Sequence, residues 1–484
     1  MGKSIVINPL TRLEGHGKIV IFLNGDGEVE NTYLQVPELR GFEKFCEGRC
    51  VEELPRITPK ICGVCPGAHH MASTKALDKV FKAIPPPAAV KLRKVFYLAH
   101  FLHSHIAHFY LLALPDFVMG PDFSPSERNI VGLSEKLGVD VVSTVVANRG
   151  YAQKIQEIIG GRATLPVCGI PGGMSKGISE EEREKIREMA ERLLEFSKFT
   201  LDVFHQHVLH QEEYVRMMKA EFNQLSTNYM SLVDSQNRVS LYDGRVRVVN
   251  PEGKELTRFD GEKYLDVIEE RPLPWTYLKF PYLKSLGWKG LTPGKGGSIY
   301  RVGPLARFNV SEGMSTPAAQ EEYEKMESGL GGKPVHSTFA YHWARVTEML
   351  NCAEELYELS QDKGITEPDL RAELKTPDEG VGVVEAPRGT LFHHYKTSPR
   401  GIVEEVNLIV ATVQNNAGIS MSVKEAARGL IKTDKVSEGL MNRVEMVVRA
   451  YDPCIACASH SINRTSGNWP IQIYDAKGNM IEPR

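Results

Sequence analysis

Two short stretches decide how this chain is read: Lys60-Ile61-Cys62-Gly63-Val64-Cys65-Pro66-Gly67-Ala68-His69 near its start, and Asp452-Pro453-Cys454-Ile455-Ala456-Cys457-Ala458-Ser459-His460 near its end. Each holds a C-x-x-C pair with a histidine shortly after it. A thiol must ionise before it can ligate a metal. At pH 7 that requires about 2 kcal/mol for a thiol of ordinary pKa, so about 8 for four. A tightly held divalent ion returns about 10 to 16 kcal/mol, so metal binding prevails over four free thiols. Three kinds of site fit four cysteines: a structural zinc, an iron–sulfur cluster, and a catalytic nickel or iron centre. Zinc ribbons place both pairs within about 20 residues. Here Cys65 and Cys454 are 389 positions apart. Joining the two ends of a large core predicts a deeply buried site, which suits a redox centre better than a surface staple. Spacing does not choose between nickel and iron.

The rest of the composition narrows the class. The chain has 484 residues, room for a large core and more than one compact unit. Eight cysteines over that length are too sparse for a disulfide framework. Lys plus Arg is 58 against 61 for Asp plus Glu, and no run of five or six like charges occurs, so a nucleic-acid partner is not expected. With 42% hydrophobic and 25% charged residues, wholesale disorder is excluded. Met1 to Asn8 lacks a basic region followed by a roughly 7–15-residue apolar core, so no secretory signal is read there and the chain is expected to stay inside unless a partner carries it out. Val95 to Leu114 lacks Asp, Glu, Lys and Arg over twenty residues, the length of a membrane span. It also holds His100, His103, Ser104, His105 and His108, which hydrocarbon penalises, so it reads as a buried core helix and no direct membrane span is expected. These histidines fall on more than one helical face and read as satisfied core residues.

Residues 4 to 36 alternate apolar and polar positions around Asn24-Gly25-Asp26-Gly27, a hairpin pattern. Ala68 to Ala83 and Ala88 to Leu114 read as helices separated by Pro85-Pro86-Pro87. Ser179 and Glu182 form a capping box, and Ile186, Met189, Leu193 and Phe196 recur at helical spacing, predicting one helix to about Phe222. Residues 237 to 310 show short strands and turns. Phe339 to Gln361 reads as helix, Val381 to Val413 as strands, and Ser437 to Tyr451 as helix. The fold expected is α+β, a long-helix bundle core with peripheral β-sheet regions.

The paired cysteines, together with Thr11-Arg12-Leu13-Glu14-Gly15-His16-Gly17, Arg40-Gly41-Phe42-Glu43, Pro171-Gly172-Gly173 and Glu385-Ala386-Pro387-Arg388-Gly389, resemble in kind and order the motifs of the large, catalytic subunit of nickel–iron hydrogenases. The resemblance covers the whole chain. Phe339-Ala340-Tyr341-His342-Trp343-Ala344-Arg345 and Gly389-Thr390-Leu391-x-His393-His394-Tyr395 are most similar to the cytosolic methyl-viologen-reducing type, the deazaflavin-nonreducing enzymes associated with heterodisulfide reductase. One departure is Lys60, where the family usually has arginine; it keeps the charge but loses the planar fork.

The resemblance implies a reversible heterolytic cleavage of hydrogen, with a metal centre taking the electron pair and a nearby base the proton. It makes Cys62 and Cys454 terminal nickel ligands, and Cys65 and Cys457 bridges to an iron carrying carbon monoxide and cyanide. Cys454 becomes the base and Glu14 the first carboxylate of the proton relay. Arg388 lies beside the metals, with Asp116 and Asp452 as its anionic partners. Glu43 and His460 match ligands of a second, nonredox metal, magnesium or iron, with backbone near Gln414 to Asn416 contributing. His69 is spaced to point an N–H at a cysteine sulfur.

No further cysteine set is present to hold an iron–sulfur relay on this chain, so electrons must leave through a partner. The resemblance implies an iron–sulfur small subunit, and for this subtype also heterodisulfide reductase with an adaptor (delta) subunit. Residues 1–460 are expected to form the catalytic domain, with a β-rich part over 1–60 and a β-rich insertion over about 237–310. Residues 461–484, with a hairpin at Ile471 to Ile481, match the propeptide that a maturation endopeptidase removes once nickel-insertion proteins have loaded the site. Two other readings stand beside this one: a zinc-stapled scaffold, and a quinone-site subunit of the complex I kind, whose members lack the four ligands.

Overall fold

The computed structural model describes residues 3–432 and 436–460, together with the strands Ile473–Tyr474 and Met480–Ile481, which pair antiparallel. The remainder of the tail assigned above as a propeptide lies outside the described residues.

The core is a bundle of four long helices. Ala340–Gln361 packs between Glu180–Phe204 and Pro87–Ala107, and Val139–Gly160 lies against the last two. The second of the three prolines, Pro86, is extended and Pro87 starts the next helix, where its missing N–H costs nothing. The capping box forms as expected: Glu182 N–H donates to Ser179 Oγ at 3.1 Å, and Ser179 N–H to Glu182 Oε2 at 2.9 Å.

Two helices differ from expectation. The one from Pro87 stops at Ala107, widens into a π turn over His108–Ala113 and resumes as Leu114–Val118. Pro115 explains the break, because it has no N–H to return to the preceding turn. The single helix expected from Ser179 to Phe222 is three pieces. Glu180–Phe204 ends in a π turn over His205–Leu209, and Gln211 is extended before Glu212–Lys219 and the short turn Glu221–Asn223. The apolar period lapses across these His, Gln and Glu residues, so no buried face holds the helix straight. Of the histidines in the apolar stretch, His100, His105 and His108 are buried and meet Gln156 at 3.3 Å, Glu348 at 2.7 Å and the Arg449 carbonyl at 2.8 Å.

Sheets surround the bundle. Ser4–Ile7, Lys18–Leu23 and Val29–Gln35 form an antiparallel sheet. The strand-rich N-terminal part therefore ends at Gln35 rather than near 60. Residues 42–61 are short helical turns instead, two of them started by Pro55 and Pro59. The expected β-rich region carries Arg245–Val249 and Glu255–Phe259, whose sheet also takes in Asn228–Val233 and Tyr300–Arg301, and a separate antiparallel pair, Ile268–Arg271 with Phe280–Leu283. Glu379–Ala386, Gly389–Thr397 and Val403–Ile409 form a further antiparallel sheet, after which Ala411–Leu430 is helix. Helix Pro66–Val80 lies directly on this sheet. Glycine permits the approach: a Cβ on Gly382 would stand 2.1 Å from the Ala72 carbonyl oxygen. The contact sets the height of the helix and thereby of Cys65, which precedes its first turn. Among the described residues, no helix is long and apolar enough to cross a membrane.

Candidate metal centre

The cysteine pairs are brought together by contacts between opposite ends of the chain. Cys62 follows the turn Thr58–Ile61, and Cys454 precedes the turn Ile455–Ala458. The N-terminal segment lies against the latter: Ile455 N–H donates to the Glu14 carbonyl at 3.0 Å. Gly15, at φ +86°, allows this, since a Cβ there would stand 2.6 Å from Ile455 Cβ. Arg40 spans both loops, donating to the carbonyls of Ile61, of Lys60 at 3.3 Å and of Ala456 at 3.5 Å. Its motif is visible in the sequence, but nothing there reveals this clamp. Thr412 Oγ1 accepts the Cys454 N–H at 2.9 Å, also without a sequence signal.

The four Sγ atoms lie within 4.8 Å of one another and are buried, the only metal-ligating cluster of three or more such groups among the described residues. Cys62 is 3.0 Å from Cys454, Cys65 is 3.1 Å from Cys457, and Cys454 is 2.9 Å from Cys457. The N–H groups of Val64 and Cys65 point at Cys62 Sγ from 3.2 and 3.4 Å, a pattern that stabilises a thiolate. Hydrogen bonds from the other three sulfurs, Cys454 foremost, pull the Cys62 thiol well below its ordinary value. Burial pushes Cys454 and Cys457 well above theirs. Four thiolates here require cationic charge in their midst, so the soft donor set fits the nickel–iron pair that the sequence motifs imply.

Arg388 and Asp452 stand beside the sulfurs, both buried. Arg388 Nη2 donates to Asp452 Oδ1 at 2.8 Å and Nη1 to Ser104 Oγ at 3.4 Å. Burial alone would depress this guanidinium, but Asp452 and the sulfurs of Cys454, Cys65 and Cys62 hold it above its ordinary value. Burial in turn raises Asp452 despite Arg388. Arg388 Nε and Asp452 Oδ2 have no hydrogen-bond partner among the described residues. Arg388 lines a small cavity together with His69, Pro387, Leu391, Val410 and three of the cysteines. Asp116, expected as a second partner of Arg388, is engaged elsewhere: it binds Arg12, Arg128 at 3.2 Å, Arg449 at 3.0 Å and Asn442 at 3.1 Å. Its helix carries it into this cluster, whose cations hold it below the usual carboxylate range despite burial.

Glu14 Oε2 accepts from Cys454 Sγ at 3.1 Å and from the Ala456 N–H at 2.9 Å. The carboxylate is half-buried; burial raises its pKa, as does the charge on Cys62. His69 Nε2 is 3.3 Å from Cys457 Sγ. Lys60 is exposed and its side chain takes no part in the centre. Glu43 Oε1 accepts the Leu408 N–H at 2.8 Å, and His460 Nε2 is 2.6 Å from the Leu408 carbonyl and 3.6 Å from Glu43 Oε1. A carboxylate, a carbonyl and an imidazole thus converge, a donor set that fits magnesium or iron. The carbonyl that faces His460 is Leu408's, at the end of a strand, while Gln414 to Asn416 lie in the helix that follows. Of the other cysteines, Cys46 and Cys168 are pushed up to about 12 by burial, which leaves them unreactive.

A bundle that joins four sulfurs from both chain ends beside a buried arginine defines the class. Residues 40–122 and 278–460 match the family described as nickel-dependent hydrogenase, and residues 4–39 match a HoxL-like family. The chain belongs to the nickel-dependent hydrogenase family, as the large, catalytic partner that acts on hydrogen; the scaffold and quinone-site readings are not favoured. It is 47% identical over 484 residues to an iron-sulfur subunit of the F420-non-reducing hydrogenase from Archaeoglobus profundus, covering 99% of each chain. It is 38% identical to a subunit of the F420-non-reducing hydrogenase from Methanothermobacter marburgensis, covering 99% of each. A solved NAD+-reducing [NiFe]-hydrogenase in the H2-reduced state superposes with a TM-score of 0.89 at 35% identity, covering 95% of this chain and 99% of that one.

Proposed function

We propose that this chain is the hydrogen-activating subunit of an F420-non-reducing type of assembly, with Cys62, Cys65, Cys454 and Cys457 holding a nickel–iron centre whose iron carries carbon monoxide and cyanide. The observation that carries this reading is the convergence of four buried sulfurs with a carboxylate 3.1 Å from one of them. The bound metal pair supplies Lewis-acidic, redox-active chemistry able to take the electron pair of hydrogen. Cys454 Sγ accepts the proton and Glu14 Oε2 receives it, within hydrogen-bond reach. Arg388, fixed by Asp452, presents a permanent positive charge to the cavity, while the apolar walls exclude water. Asp116 is a positioning residue: through Arg449 and Arg12 it anchors the segment leading to Asp452 and the one leading to Glu14.

Elemental analysis and infrared spectroscopy test this together. Nickel and iron in comparable amounts, with stretching bands from bound carbon monoxide and cyanide, are expected. Zinc alone would overturn the assignment. Arg388→Lys keeps the charge but loses the fork and its reach to Ser104, so turnover is expected to drop about 10- to 100-fold, the loss of a charged hydrogen bond. Unchanged turnover would mean that charge alone matters.

Glu43, His460 and the Leu408 carbonyl would hold magnesium or iron at the second site. An iron–sulfur small subunit would take the electrons, a reading supported by the naming of the relatives as subunits. An adaptor and heterodisulfide reductase would lie beyond it, in the cytoplasm. Residues 1–460 would form the catalytic unit and 461–484 a propeptide, whose removal would leave His460 beside the second site. A mass measurement on purified enzyme is expected to give a chain ending after His460; one still ending in Arg484 would exclude processing.

A further inference from the structure

The strand Gly389–Thr397 carries the His393-His394-Tyr395 motif, to which the function above gives no task. Side chains alternate across a strand. His394 accordingly turns toward Glu379, 2.7 Å away, while His393 and Tyr395 are fully buried on the other face. There they extend a row of hydrogen-bonding groups that begins at a cysteine sulfur. Cys457 Sγ is 3.3 Å from His69 Nε2, His69 Nδ1 is 3.1 Å from His393 Nε2, and His393 Nδ1 is 2.6 Å from Tyr395 Oη. Tyr395 Oη also lies 2.9 Å from Ser73 Oγ.

Building on the reading that Cys457 is a thiolate ligand, we infer that His393 and Tyr395 are positioning residues that set the tautomer of His69, so that an N–H rather than a bare ring nitrogen faces the sulfur. A metal-bound thiolate only accepts hydrogen bonds. His69 must then carry its proton on Nε2, which leaves Nδ1 an acceptor. The group facing Nδ1 is His393 Nε2, which must therefore be the protonated nitrogen of that ring. His393 Nδ1 becomes an acceptor in turn, and the Tyr395 hydroxyl is the donor in reach. Each neutral ring holds one N–H, so the choice at one end fixes the whole row. The Tyr395 hydroxyl has one proton and two acceptors within range. Turned to His393, it aims the row at the sulfur; turned to Ser73, it lets the row reverse, and His69 offers a lone pair that suits a thiol but repels a thiolate. A donor held on the sulfur draws charge from it and so weakens its donation to the metals.

The infrared bands of the loaded enzyme read that donation directly. In Tyr395→Phe the carbon monoxide and cyanide bands are expected to move to lower wavenumber, because a sulfur deprived of its hydrogen bond donates more charge. His393→Leu should shift them likewise. His393→Gln, whose amide can donate to His69 and accept from Tyr395, should restore the wild-type positions. In a His69→Leu background, Tyr395→Phe should add no further shift. Bands that stay in place in Tyr395→Phe, or a shift that survives in the His69→Leu background, would overturn the inference. Should Tyr395→Phe fail to load metal, equal bands in His393→Leu and His393→Gln would overturn it. Absence of these bands from the wild-type enzyme would instead sink the reading of the centre itself.

Discussion

Hydrogen uptake by a Glu14→Gln variant is expected to fall about 10²- to 10⁴-fold, the range for loss of a positioned proton acceptor, with nickel and iron content unchanged. Glutamine keeps the shape of the side chain and can still accept from the Ala456 N–H, which Glu14 Oε2 does at 2.9 Å. What it loses is the ability to take a proton from Cys454 Sγ, 3.1 Å away. The Gly15 backbone and the Ile455–Glu14 bond that seat this segment are untouched by the change. Metal content therefore separates a relay defect from a collapsed site. A variant with full uptake and intact metals would remove Glu14 from the pathway.

Cys65→Ser is expected to lose nickel and iron more than about 100-fold, beyond what removal of an outer-shell group costs a metal site. Serine has nearly the same size, so the packing of helix Pro66–Val80 on its sheet should persist and the circular dichroism should stay at the wild-type level. Its hydroxyl does not ionise near neutral pH and so offers no anionic ligand in place of the thiolate. Cys457, 3.1 Å from Cys65, would lose the neighbour with which it shares the metals. Retention of both metals by this variant would show that Cys65 is not a ligand.

Much of the centre was legible because its chemistry is written in short motifs. Cys62, Cys65, Cys454, Cys457 and Glu14 converge as expected, Asp452 meets Arg388, and His69 reaches Cys457. Local signals also carried the Ser179 cap and the proline break at 85–87. What escaped depends on tertiary neighbours. The family motifs pair Asp116 with Arg388, yet three other arginine side chains reach it, a competition that no linear spacing encodes. The carbonyl facing His460 proved to be Leu408's, since every residue has a carbonyl and only folding selects one. The π turns at His108–Ala113 and His205–Leu209 interrupt the expected helices at Pro115 in one case and at a lapse of the apolar period in the other, local signals that the long apolar runs around them mask.

Residues 452–460 hold two of the four sulfurs, the Asp452 carboxylate and the His460 ring, and bonds to Glu14, Arg40, Arg388, Leu408 and Thr412 tie them to the body. All nine are buried, so this strap opens only together with the core that it closes. A chelator should therefore reach the sulfurs only as fast as these nine residues come out of the interior, so that extraction from the folded chain is slow.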